Sequence, residues 1–228
     1  MAGDRPAARK KPGQQVSAPR LSGVVLADLV DEPAPEFVRG GKYDGVRYSR
    51  AVADGLDLTG ADFAECEFQG ASFNEAQLRG AGFRDCTLHE LYAPVFRAAR
   101  STWRDVELHN PRLGSAELYE SGWQSVRIDG GKLDFLNLRG AKLTDVLITG
   151  CIINELDLGS AAATRVALKD CTIGTLDVTG ARLQDFDLRG TNFRGISGLG
   201  SVAGLVVDDY QLALLAPLLA AHLGVTVL

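Results

Sequence analysis

No run of the 228 residues is apolar enough, for long enough, to span a bilayer. The basic opening MAGDRPAARKKPGQQVSAPR is not followed by the apolar run of a signal peptide: LSGVVLADLV is short and broken by Asp28. Residues 1–20 therefore read as a disordered basic tail, with Arg5, Arg9, Lys10, Lys11 and Arg20 solvated, and the expected location is the cytoplasm. Charge of one sign is also missing. Lys and Arg number 24 against 29 Asp and Glu, a net of −5, which excludes direct nucleic-acid binding of the usual electrostatic kind. Aromatics are only 7% of the chain, so its interior is built mostly from small and aliphatic pieces.

Reactive groups are sparse as well. The four cysteines are not in CxxC spacing, and the three histidines are not grouped with carboxylates in a ligand pattern. No nucleophile–base pair, phosphate-cradling glycine loop or paired-carboxylate motif stands out. No catalytic residue, metal site or cofactor is expected, and the chain reads as non-enzymatic.

What is present is a period. In GADFAECEFQGASFNEAQLRGAGF, bulky apolar residues fall at Phe63, Phe68, Phe73, Leu78 and Phe83. Five is neither the period of a helix nor that of a strand. Sampling every fifth residue from Leu58 to Phe193 gives 28 apolar positions without an insertion or deletion. A second column, mostly small, lies two residues before each: Ala61, Cys66, Ala71, Ala76, Ala81, Cys86. Cys151 and Cys171 belong to the same column, so all four thiols are expected to be buried packing groups.

A longer period contains the short one. Trp103 and Trp123 are twenty apart, as are Cys66 and Cys86, Cys151 and Cys171, and His89 and His109. Ala61, Ala81, Ser101, Ser121, Ala141, Ala161 and Ala181 stay small at every step of twenty. Four pentads per coil, with coils stacked, account for both periods. His89 and His109 should then stack on one outer face.

The pentads Ala61-Asp62-Phe63, Ala71-Ser72-Phe73, Ala81-Gly82-Phe83, Ala141-Lys142-Leu143 and Thr191-Asn192-Phe193 resemble the A-(D/N)-(L/F)-x-x consensus of pentapeptide-repeat proteins. The resemblance covers about 46–197, with weaker pentads at Val38, Tyr43 and Tyr48. It implies an all-β solenoid, a right-handed quadrilateral β-helix, about 35–38 Å long for seven to eight coils. The expected organisation is a tail over 1–20, an N-terminal segment and irregular first coil over 21–45, the β-helix over 46–197, and a cap over 198–228.

That cap reads as a short helix from an N-cap at Asp208 or Asp209, broken or kinked near Ala216 by Pro217 and ended by Gly224. Val225 to Leu228 suit a final strand. Leu212, Leu215, Leu219 and Leu223 form one apolar stripe, and Leu214, Leu218 and Ala221 another; one stripe can close the barrel. The second suggests a homodimer through the cap, as in several members of the family. Between 91 and 125 the pentads depart from consensus, with Ala93 and Ala98 small before Trp103 and with Pro94 and Pro111; this reads as compensation of volume.

Some pentapeptide-repeat proteins resemble B-form DNA and bind type II topoisomerases, which makes DNA gyrase one candidate partner. A close DNA mimic about 37 Å long would need about twenty negative charges. Residues 46–197 carry 21 acidic against 17 basic side chains. One edge column does run acidic, at Glu65, Asp85, Asp105, Asp145 and Asp185, flanked by bases such as Arg84, Arg104 and Arg165. The expected function is a structural or protein-interaction solenoid, with this column as candidate surface and a topoisomerase modulator as the alternative.

Overall fold

The backbone bends at every fifth residue. In the computed structural model, which describes residues 16–226, φ is positive at Gly45, Arg50, Gly55, Gly60, Glu65, Gly70, Glu75 and Gly80 in succession. Such left-handed corners favour Gly, which has no Cβ to clash, and tolerate Asp and Asn better than bulkier residues. Between corners lie short extended segments, each paired in parallel with the segment twenty residues on. Phe63 pairs with Phe83, Phe83 with Trp103, Trp103 with Trp123, and Trp123 with Leu143. The product is a four-sided β-solenoid. Its longest strand path stacks ten strands, Val30–Asp31 at one end and Leu205–Val206 at the other. At one strand spacing per level this is about 43 Å, longer than expected because those two end strands extend the stack.

One of the four corners changes character partway along. Gly55 and Glu75 are left-handed there, whereas Val95, Ser115, Phe135, Glu155 and Thr175 lie inside continuous strands such as Tyr92–Arg97 and Arg112–Glu117. β-branched and aromatic residues resist left-handed φ, and the turn is made with extended backbone instead. Gly114 sits beside this altered corner because a Cβ there would collide with the Pro94 carbonyl oxygen. The irregularity around 91–125 is therefore a change of turn, in addition to a change of side-chain volume.

All period-five residues from Leu58 to Leu188 are buried, and Phe193 is half-buried. Tyr43, Phe63, Phe83 and Trp103 stack face to face along one inner column, with ring centroids 4.9, 5.0 and 4.2 Å apart. Phe37 plugs the N-terminal mouth, meeting the rings of Tyr43, Tyr48, Phe63 and Phe73.

At the C-terminal end half-buried Phe193, Ile196, Val202 and Leu205 pack against the core, and the helix Asp209–His222 follows them. Asp208 caps it: its carboxylate accepts the Gln211 backbone N–H, and the Gln211 side chain accepts the Asp208 N–H. The Gln211 amide also donates to the Leu188 and Thr191 carbonyls at 2.6 Å each, which ties the helix to the last regular coil. Three cap expectations are corrected. Pro217 lies within one continuous helix, which loses the hydrogen bond Pro cannot donate but does not break. Val225 and Thr226 are not a strand, since the Val225 N–H folds back onto the Ala220 carbonyl after left-handed Gly224; Val227 and Leu228 lie outside the described residues. The stripes also divide otherwise: Leu215 is buried and Leu219 half-buried, while Leu212 and Leu223 join Leu214 and Leu218 in solvent.

Candidate interaction site

The acidic edge column has a structural origin. Glu65, Asp85, Asp105, Asp145 and Asp185 all occupy left-handed corners, in line with Gly45, Ser125 and Arg165. Glu65 is exposed and Asp85 and Asp105 are half-buried, whereas Asp145 and Asp185 are buried, at 8% and 4% exposure. The N-terminal segment lies against both, and Arg165 also engages Asp145. The Ser17 N–H donates to Asp185 Oδ1 at 3.2 Å, the Arg20 N–H to Asp145 Oδ1 at 2.8 Å, and the Ser22 N–H to Ser125 Oγ at 2.8 Å. Residues 16–20, expected to belong to a solvated tail, are thus extended chain laid along this corner, and of that tail 1–15 lie outside the described residues. The physical reason is that the column offers side-chain acceptors at Ser125, Asp145 and Asp185, within reach of N–H groups of one extended segment.

Bases neutralise part of the column. Arg165 forms a forked pair with Asp145, Nε to Oδ1 and Nη2 to Oδ2 at 2.6 Å each. Those bonds hold the Asp145 carboxyl below the usual carboxylate range, against the opposing effect of burial. Elsewhere Arg139 pairs with Asp157, Arg189 with Asp187, and Arg47 with Glu67. Many Asp residues serve turns: Asp57, Asp157, Asp177 and Asp187 each accept the backbone N–H two residues on.

His89 and His109 stack with centroids 4.8 Å apart and planes 12° apart. Glu107 Oε2 lies 3.2 Å from His109 Nε2, and Glu67 Oε1 lies 3.9 Å from His89 Nε2. An open hollow of about 510 Å³ beside His89 is lined by Ser49, Arg50, Glu67, Gln69, Gly70 and Glu90. Glu67 is already engaged there by Arg47 and Gln69. Among the described residues, no group of three or more His, Cys, Asp or Glu is arranged to hold a metal. The four thiols are buried and donate to backbone carbonyls, Cys66 to Ala64 and Cys151 to Gly130 among them.

The largest apolar exposure at the C-terminal end is on the cap helix. Tyr210, Leu212, Leu214, Leu218 and Leu223 are 69, 50, 48, 44 and 75% exposed, while Gln211 and Leu215 are buried. No described helix is long and apolar enough to cross a membrane.

A family model of pentapeptide repeats matches residues 49–90 in eight copies. Comparison with curated proteins gives no match. Among solved structures, full-length QnrB1, described as a plasmid-mediated fluoroquinolone resistance protein, is 18% identical. It aligns over 86% of this chain and 95% of its own, with a TM-score of 0.48. HetL, a pentapeptide repeat protein involved in heterocyst differentiation regulation from the cyanobacterium Nostoc sp. strain PCC 7120, is also 18% identical. It aligns over 70% of this chain and 85% of its own, with a TM-score of 0.26.

Proposed function

From the premise that the chain is a pentapeptide-repeat β-solenoid, we propose that it is a non-enzymatic protein-interaction rod that pairs with a second copy through its cap. The observation that carries this reading is the exposed pair Leu214 and Leu218, one turn apart on a cap helix that Gln211 ties to the last regular coil. Apolar side chains left in water on a short helix gain by meeting the same surface of another copy about a two-fold axis. Such a dimer doubles the rod and presents its side faces, with the Glu65, Asp85 and Asp105 end of the acidic column accessible, to another protein. Sedimentation of the full chain at micromolar concentration tests the pairing. The expected result is a dimer that becomes a folded monomer in the Leu214→Glu/Leu218→Glu variant; a wild-type monomer overturns it.

A second reading is a DNA-mimicking modulator of a type II topoisomerase such as DNA gyrase. The regular parallel stack of coils favours it, and the ion pairs Arg165–Asp145, Arg139–Asp157 and Arg189–Asp187, which occupy carboxylates on the rod's own surface, weigh against it. A gyrase supercoiling assay with and without a quinolone decides: inhibition or protection supports this reading, and neither effect at micromolar protein removes it.

A further inference from the structure

Solenoid coils normally touch only their neighbours. Here one segment ignores that rule. Ser17 meets Asp185, Arg20 meets Asp145, Ser22 meets Ser125, and the Val30 N–H reaches the Gly45 carbonyl. The acceptors step back along a single corner column while the segment advances. Three residues from Ser17 to Arg20 pass two coils, which matches extended chain at about 3.3 Å per residue against about 4.8 Å per coil. Residues 16–29 therefore run along the rod axis, across the strands.

The hold is light. Among the described residues, no backbone-to-backbone hydrogen bond joins residues 16–29 to the coils; N–H groups of Ser17, Arg20 and Ser22 donate instead to side-chain oxygens of the corner column. Pro19, Leu21, Val24, Leu26 and Leu29 are half-buried, and Val25 stays 87% exposed. Segments with few buried apolar contacts and few ladder bonds open at a small fraction of the global unfolding free energy.

We propose that residues 16–29 form a releasable clasp: closed, it masks Asp145 and Asp185 and joins the last coils to the first; open, it bares the whole anionic column while the coils stay folded. The proposal does not depend on the reading of the chain as an interaction protein or on its dimerisation.

Carboxyl labelling with a carbodiimide and glycine ethyl ester, combined with amide hydrogen exchange on the full chain, tests it. In the wild type, the amides of Ser17, Arg20 and Ser22 should exchange at least about tenfold faster than those of the strand Ile152–Asp157. In Leu21→Asp/Leu26→Asp, Asp145 and Asp185 should label about tenfold faster, with half-buried Asp134 unchanged and strand protection retained. Ser125→Gly removes one acceptor while keeping a residue suited to the left-handed corner, and should shift clasp exchange in the same direction if the double variant misfolds. Clasp amides that exchange only with global unfolding, or equal labelling of Asp145 and Asp185 in wild type and variants, would overturn the proposal.

Discussion

Trp103 donates its indole N–H to Ser101 Oγ at 2.7 Å, and Ser101 donates in turn to the Ala98 carbonyl at 2.6 Å. One coil on, Ser121 and Trp123 repeat the residues but not the bond: Ser121 Oγ and Trp123 Nε1 are both buried with no partner among the described residues. The two indoles also differ in packing. Trp103 lies flat on Phe83, whereas Trp123 is tilted by 49° from Trp103.

The pair gives an internal control. Trp103→Phe removes a satisfied donor and leaves a buried hydroxyl short of one partner; Trp123→Phe removes a donor that has none. Both lose ring volume, so the difference isolates the hydrogen bond. Urea denaturation should show Trp103→Phe the more destabilising by about 1 kcal/mol. Equal midpoints would mean that the Trp103–Ser101 bond adds nothing net.

Gln211 is the anchor of the cap. Gln211→Glu keeps the acceptor that caps the helix but replaces a two-bond donor with a carboxylate facing the Leu188 and Thr191 carbonyls. The expected cost at neutral pH is about 2–3 kcal/mol of cap docking, reduced on acidification as the new carboxyl takes up a proton. Hydrogen exchange should show faster amides over Asp209–His222, with Ile152–Asp157 unaffected.

The Asp145–Arg165 pair predicts acid sensitivity of definite sign. The Asp145 carboxyl is depressed in the folded state, first by its hydrogen bonds from Arg165. Its contribution is complete above the unfolded carboxylate pKa of about 4 and is lost as pH falls below that value through the folded one. Asp145→Asn should therefore cost about 1–2 kcal/mol near neutrality and progressively less below about pH 4. A pH-independent difference between the two proteins would contradict this.

The thiols should resist reagents. Cys66, Cys86, Cys151 and Cys171 are at most 1% exposed. The hydrogen bond with Cys171, followed by burial, pushes the Cys151 thiol far up. Labelling by a thiol reagent should track global unfolding across a urea series; rapid labelling of folded protein would show local opening of the column.

The coil was legible because period five and period twenty are both properties of the backbone path, imposed at Phe63, Phe83, Trp103 and their successors by whether a side chain points inward. The cap helix and its N-cap at Asp208 were also readable from local chemistry. Pro217 misled because the cost of one missing hydrogen bond in an exposed helix is small beside the bonds and packing that dock Gln211 and Leu215. The acidic column was visible as charge; that Asp85, Asp105, Asp145 and Asp185 also suit left-handed corners was not. The segment over 16–29 carries no period at all. Its place is set by acceptors 103 to 168 residues away in sequence, and nothing local announces them.

That arrangement has a consequence for synthesis. The coils can stack one upon another as the chain leaves the ribosome, each resting on the one before it. Ser17 is made 168 residues ahead of Asp185 and has no resting place until Asp185 has been made and folded. The segment is thus obliged to wait while the coils form, and its closure reports that the rod beneath it has reached Asp185.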